Sequence, residues 1–423
     1  MNISIRISPV NHPPLSYLTN ERNTVFFLRH TDKALFATGC VAKSSEHPSR
    51  EEITISFFGE SALAQSIPVY LGGKKFYPTT GELWEDFPDE EWYIPEEAFL
   101  EIDKQYYFVA YSVSGDPQPG VPEVPESGSA RYGTGWESVI REGDDFSDWE
   151  SAVKAATTMI ASETMQKVVL ARYRQFRVHD ACAEEIRRNL LAMLDSVKTG
   201  EYAFLYQKHD AVLFGISPET ILTIDGRDFS TEALAGSRSR GANDDEDGRL
   251  EAELLQSAKE LSEHNFVTAH IADVIAPLSD WYNLPFRPII KKLPTLQHLH
   301  TPIHGKLKDD VSFMETAGLL FPTPAVCGIP TETAQRFITR HETFERGYYA
   351  GMLGWHNPVG SGEVFACLRS GLYKDGCFYF FGGCGIVADS SAETEYQESG
   401  VKISYLQDLT LRAVNGVEAD RED

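Results

Sequence analysis

Residues 202–224 read YAFLYQKHDAVLFGISPETILTI. Within them Tyr202 to Tyr206, Ala211 to Ile216 and Thr220 to Ile224 are strand-like apolar runs with turn residues between them, and no helical pattern intervenes. Upstream, Lys167-Val168-Val169-Leu170-Ala171-Arg172 reads as a buried strand, and strands return downstream near Val364 to Arg369 and Cys377 to Phe381. Helices are fewer and longer. Ser147-Asp148-Trp149-Glu150 has the capping-box form ahead of Trp149, Ala152, Val153, Ala156 and Ile160 at helical spacing, and Ser390-Ser391-Ala392-Glu393 repeats it before a last helix. One long helix is expected from Arg249 to about Ile275, with Leu250, Leu254, Leu255, Ala258 and Leu261 as its apolar stripe. Strand runs broken by a few long helices, without regular βαβ alternation, predict an α+β fold of large antiparallel sheets packed with helices.

Residues 1 to about 113 extend the strand pattern, as in Thr24 to Leu28, Ile53 to Phe58 and Tyr106 to Ser112. The segment from Gly115 to Gly135 carries Pro117, Pro119, Pro122 and Pro125 among Gly and Ser, and is expected to be an exposed connection. The chain therefore divides into a strand-rich region 1–146 that belongs to the same fold, a region 147–410 that carries the chemistry, and a polar tail 411–423.

The 423 residues are 42% hydrophobic and 24% charged, ordinary globular composition with enough length for a large core. Sixty-three acidic residues against 38 Lys plus Arg give a net charge of -25, which argues against nucleic acid and anionic membranes as partners. An anionic ligand would need positive charge concentrated locally. The six cysteines form no CxxC pair, so reduced thiols are expected and zinc is not. The N-terminal stretch MNISIRISPVNHPPL has no apolar signal core, and no apolar run approaches the roughly 20 residues that span a bilayer. A cytoplasmic protein is expected, a monomer in preference to a dimer.

Several side chains have chemistry in reach. Glu260 and Glu263 stand three apart on the expected long helix, and Glu395, Glu398 and Lys402 share one face of the last helix. Two such acidic faces turned toward each other would make an oxygen-rich site suited to a hard cation such as Mg²⁺, although Glu pairs at this spacing are also common on solvated faces. Lys167 begins an apolar strand pattern, and a lysine buried in such surroundings can act as a neutral base, whereas one at a strand edge reaches water. Glu219 follows Gly215-Ile216-Ser217-Pro218. In an apolar pocket its carboxyl would rise toward the range of a general acid, and in water it would be an ordinary loop residue. Gly382-Gly383-Cys384-Gly385 is expected to precede a helix N-terminus that can hold a carboxylate, and it has neither the Walker nor the dinucleotide spacing.

Taken in order, these segments resemble the chorismate-utilising enzymes, that is the isochorismate, salicylate, anthranilate and aminodeoxychorismate synthases. The resemblance runs from about Lys167 to Ser404 through KVVLAR (167–172), GISPE (215–219), EALAGSRSRG (232–241), KELSEH (259–264), Gln297 to Leu299, PTPAVCG (322–328), ERGYYAGMLGW (345–355), Leu368-Arg369 and GGCGIVADSSAETEYQESGVK (382–402). It implies that Glu263 and Glu398 bind Mg²⁺, with Glu260 and Glu395 as companion carboxylates. It also implies that the metal holds the ring carboxylate of chorismate while Arg369, Lys402 and the backbone near Gly383 hold the enolpyruvyl carboxylate. Ala235, Gly236, Ser237, His298, Ala325 and Tyr349 match positions lining the pocket. Lys167 matches the base that activates water for attack at ring C2, and Glu219 the acid that protonates the departing C4 hydroxyl.

Within this group, anthranilate synthases usually carry Gln at the position of Lys167. Aminodeoxychorismate synthases usually carry a Lys two residues before the Thr of their PIKGT block, where this chain has Ala235. No glutaminase segment or partner motif is evident, in keeping with water as the nucleophile. Ser237 stands for the usual Thr, Ser239 for Pro and Cys384 for Ala. Gly400-Val401-Lys402 after Glu398 resembles the isochorismate synthase branch more closely, so the resemblance implies isochorismate synthase. The alternatives are salicylate synthase, which would further eliminate pyruvate, and a homologue that binds chorismate without turnover. The same resemblance admits a menaquinone or a siderophore pathway.

Overall fold

The computed structural model describes residues 1–13, 15, 24–44, 54–113, 115, 117, 136–139, 145–178, 183–197 and 200–415. Apart from Gly115 and Pro117, the expected connection from 115 to 135 lies outside the described residues.

The layers follow from alternation along single strands. In Thr24–His30, Phe26 and Leu28 join a core that also holds Tyr70, Leu71, Trp92, Leu222 and Leu353, whereas Val25 and Phe27 join a second core with Ile186, Leu190, Leu205, Leu406 and Val414. The first core therefore lies between two sheets, and the second between one sheet and the helices Ala183–Asp195 and Ala392–Asn415.

Among the described residues, one sheet has thirteen strands. Its path begins at Trp136–Val139, passes through Lys167–Val178, Cys377–Ile386, Ser370–Lys374, Ala211–Ser217, Tyr202–Lys208 and Thr24–His30, and ends at Thr54–Gly59. The other has ten strands, among them Leu296–Leu307, Asp228–Ser239, Thr220–Asp225, Ser361–Ala366, Met352–Asn357 and Tyr70–Lys74 in that order. Among the described residues every strand pairing is antiparallel except that of Asn2–Val10 with Thr54–Gly59. Strands from before residue 113 complete both sheets, and both cores cross from that region into the rest.

Several expectations are corrected. The first helix is Phe146–Ala161, capped by the Asp145 carboxylate accepting from the Ser147 N–H, not by Ser147. The long helix is two helices, Asp244–Gln256 and Ala258–Leu278. Ser257 turns extended (φ −71°, ψ 112°), and its hydroxyl accepts from the Glu260 N–H to cap the second helix. The inward face of that helix is His264, Val267, Ile271 and Ile275, while Leu255 and Ala258 of the expected stripe are exposed. Gly382 to Gly385 lie inside the strand Cys377–Ile386, and the last helix starts only at Ala392, with the Ser391 hydroxyl accepting from the Thr394 N–H. The glycines instead allow close approach, since a Cβ on Gly382 would lie 2.8 Å from the Ser399 carbonyl oxygen and one on Gly383 2.6 Å from that of Leu170. The last helix continues past 411 to Asn415, with Leu411 and Val414 buried.

Candidate active site

The strand Lys167–Val178 pairs with Cys377–Ile386, Val169 facing Gly385 and Ala171 facing Gly383. The helix Ala258–Leu278 packs on the strand Asp228–Ser239 and the helix Ala392–Asn415 on Cys377–Ile386, so the two glutamate-bearing helices meet over one region. One cavity there is lined by Glu219, Ala235, Gly236, Ser237, Glu263, His298, Ala325, Tyr349, Arg369, Gly383, Glu398 and Lys402. The remaining three expected residues lie just behind its wall. The Lys167 side chain is 0% exposed, with its ammonium 2.8 Å from Glu263 Oε1. Glu260 accepts from the Ser237 N–H at 3.2 Å, and Glu395 pairs with Lys259 at 2.9 Å. Gly385 keeps the roof open, because a Cβ there would sit 2.4 Å from Glu263 Oε1 and 3.0 Å from Lys167 Cε. Lys167 is thus a fully buried lysine and not a strand-edge side chain in water.

Glu219 is buried, and burial raises its carboxyl to about 7 even though Thr323 Oγ1 donates to it at 3.1 Å and Lys167 is close enough to oppose the rise. Its backbone is tied down on both sides: its carbonyl accepts from the Ala366 N–H, and its N–H donates to Ser217 Oγ. The next N–H, that of Thr220, donates to Glu232 Oε1 at 2.8 Å, while Lys291 Nζ donates to the Pro218 carbonyl at 2.8 Å and to Glu232. A neutral carboxyl at physiological pH is the state a general acid requires.

Two cations supply the positive charge that the acidic chain otherwise lacks. Lys402 donates to Glu398 Oε1 at 2.6 Å and to the Gly383 carbonyl at 3.2 Å. Burial pulls its ammonium down, but Glu398 carries it above its ordinary range. Arg369 donates to Glu201 Oε1 at 2.9 Å and approaches His298 Nε2 at 3.2 Å. Burial, and then Arg369, holds His298 well below 6.5, so its ring is neutral.

The carboxylates form an oxygen-only donor set suited to a hard cation. Burial and then the neighbouring Glu263 push the Glu260 carboxyl up to about 7, a sign of negative charge in excess. Glu263 is held below its ordinary range despite burial, because Lys167 sits beside it. Lysines hold three of the four glutamates, and among the described residues no three acidic, His or Cys side chains converge in metal-ligand geometry. The residues fit Mg²⁺ in kind and charge, and three of the carboxylates are here paired with lysines.

Wider grooves lie elsewhere, one of ≈ 720 Å³ beside Arg172, Tyr396, Tyr405 and Arg412 and one of ≈ 460 Å³ beside Tyr70, Phe313 and His356. Neither combines a buried acid with a buried base. Sequence reading missed Glu201, Thr323 and the Glu232–Lys291 pair as participants. Glu201 and Thr323 lie far along the chain from the residues they hold; Thr323, inside PTPAVCG, and Glu232, inside EALAGSRSRG, fall in quoted motifs, whereas Glu201 and Lys291 carried no motif signal.

The chain belongs to the chorismate-binding enzymes, whose family matches residues 3–410. It is 29% identical over 98% of its length to the salicylate biosynthesis isochorismate synthase of Pseudomonas aeruginosa, covering 90% of that protein. It is 31% identical to the isochorismate synthase MenF of Bacillus subtilis over 79% of this chain and 73% of the relative. The fold matches that of MenF, the menaquinone-specific isochorismate synthase from Escherichia coli, with a TM-score of 0.77 at 21% identity over 96% of this chain and 94% of that one. Among the described residues no helix is long and apolar enough to cross a membrane.

Proposed function

We propose that this protein is an Mg²⁺-dependent isochorismate synthase, converting chorismate to isochorismate. One observation carries the reading: Glu219, whose carboxyl burial raises to about 7, lines a cavity that also presents Arg369 and Lys402, with the buried Lys167 behind its wall. Arg369 and Lys402 would pair with the enolpyruvyl carboxylate of a doubly negative substrate, and Tyr349, Ala325 and the Ala235–Ser237 segment would border its ring. Glu263 and Glu398, with Glu260 and Glu395 beside them, would hold Mg²⁺, which when bound supplies positive charge for the ring carboxylate. Lys167 can take a proton only as the free amine, so the ammonium paired with Glu263 would first release its proton to solvent as a cation held at Glu263 displaced it from the pair. Lys167 accepts a proton from water as the water oxygen bonds to ring C2. The ring double bond shifts, the bond from C4 to its hydroxyl breaks, and Glu219 gives that oxygen its proton, so a second water departs. Proton count and charge balance, since one group loses what the other gains.

Incubation with chorismate and Mg²⁺, followed by chromatography, tests the reading. Isochorismate alone is the expected product. Salicylate with pyruvate would replace it by the elimination reaction, and no product would reduce the protein to a chorismate-binding homologue. Lys167→Ala and Glu219→Gln should each remove most turnover, and near-parental turnover in either would overturn the roles.

A further inference from the structure

Arg369 follows the strand Ser361–Ala366 at φ +45°, and its guanidinium is boxed in by Glu201, His298 and the ring of Tyr405, 5.8 Å away. The Glu201 side chain is 0% exposed. A guanidinium can only donate hydrogen bonds. Where Arg369 Nη2 meets His298 Nε2 at 3.2 Å, the imidazole nitrogen must therefore accept. A neutral ring has one N–H, so it lies on Nδ1, and the opposite tautomer would set donor against donor.

The proton on Nδ1 has its own partners. Ser237 lies directly across the strand pair from His298, brought there by the register shift between Leu234 and Ser237 and by Gly236 at φ +81°. Its Oγ is 3.0 Å from His298 Nδ1, and the Gly236 backbone also takes a hydrogen bond from this ring. Ser237 Oγ thus accepts from the histidine and keeps its own hydrogen to donate. Its backbone N–H is already committed to Glu260.

We propose that Glu201 is a positioning residue which, through Arg369 and His298, sets the direction of the Ser237 hydroxyl so that it donates into the cavity. Glu201 anchors Nη1 and so presents Nη2 to the histidine, the histidine transmits the donor–acceptor order, and Ser237 delivers it to the ligand. The site consequently recognises a substrate oxygen that accepts a hydrogen bond at Ser237, as a carboxylate or ether oxygen does, and disfavours an N–H or ammonium group there. The substrate part of this inference rests on the proposed function, and the tautomer part does not.

The test uses the full chain labelled with ¹⁵N-histidine. The His298 resonances are assigned by their loss in His298→Gln, and the ring tautomer is read by NMR from pH 6 to 9. The parent is expected to hold the Nδ1-protonated neutral form throughout, and the isosteric Glu201→Gln to show the Nε2-protonated form or a mixture. An Nε2-protonated ring in the parent, or an unchanged tautomer in Glu201→Gln, overturns the proposal whether or not chorismate is the substrate. Ser237→Ala should raise the KM for chorismate about ten- to a hundredfold, the range for losing one hydrogen bond to a charged group. Ser237→Thr should restore it, and the tautomer should be unmoved in both. Parental KM in Ser237→Ala would defeat the donor assignment. Absence of any turnover in the parent would defeat the proposed function instead and leave the tautomer arm to decide.

Discussion

Glu219 should make the protein less stable than it need be, and Glu219→Gln should reveal the cost. Burial lifts this carboxyl from its ordinary 4.5 to about 7, which corresponds to roughly 3 kcal/mol favouring the neutral form, an upper bound for so enclosed a group. The folded value lies above the unfolded one, so the contribution to stability is fully present below 4.5 and is lost as pH rises through about 7. Gln keeps the shape and an oxygen for the Thr323 hydroxyl but never ionises. The stability gap between variant and parent should therefore open from almost nothing near pH 4.5 to roughly 2–3 kcal/mol in favour of the variant above pH 7. Turnover should meanwhile disappear, the usual opposition between stability and a strained active site. Urea denaturation of both proteins at pH 5, 6, 7 and 8 reads the gap. Parallel behaviour across that range, or a variant that is the weaker protein at pH 8, would refute a buried neutral Glu219.

The same acid should give kcat/KM an alkaline limb near pH 7, since only the protonated carboxyl can donate. Thr323→Val removes a bond that favours the ionised form and should move that limb upward by somewhat under one pH; a downward movement would contradict the assignment. Lys167→Ala should lower thermal stability in EDTA, because Glu263 loses the lysine paired with it while Glu260 stays beside it, and Mg²⁺ should restore more of the loss than it adds to the parent. Equal Mg²⁺ effects in differential scanning fluorimetry would argue against a cation at these glutamates. EDTA should abolish turnover, with recovery on adding Mg²⁺ back; full activity in chelator would remove the metal from the proposal. Arg346 is fully buried, paired with Glu342, and donates to the Val169 and Val326 carbonyls that border the cavity. Arg346→Met should cost about 3–5 kcal/mol by leaving Glu342 buried alone, and a loss under about 1 kcal/mol in urea denaturation would show the pair to be dispensable.

What the sequence makes legible is whatever a short window determines. The strands at 167–172, 202–206 and 211–216 are mainly apolar runs buried on both faces, the one at 220–224 adds half-buried Thr220 and Thr223, and each forms where its run predicts. The break at Ser257 also had a local signal: Ser257-Ala258-Lys259-Glu260 is itself a capping box, masked because leucines continue at helical spacing on both sides of it. The capping serine turns the chain so that the second helix brings Glu260 and Glu263 over the strand Asp228–Ser239, whereas an unbroken helix would have carried the leucine stripe inward. The glycines at 382–385 were read as a turn because glycine is permissive in turns and in close contacts alike; only the helix lying on them reveals which use is made.

The candidate site separates along the same line. Residues that face the cavity come in compact blocks, and their types alone suggest acid, base and anion holders. The groups that determine what those residues do are remote in sequence: Glu201 lies 168 positions from Arg369, Thr323 lies 104 from Glu219, and Arg346 lies 177 from the Val169 carbonyl it braces. No periodicity links them, because each contact is made by strands and loops that meet only after both sheets have formed. The protonation state of Glu219 and the tautomer of His298 are therefore properties of the folded sheets and not of the motifs that contain them. A chain with every motif intact but Glu201 replaced would keep its resemblance to the family while the chemistry of its pocket changed.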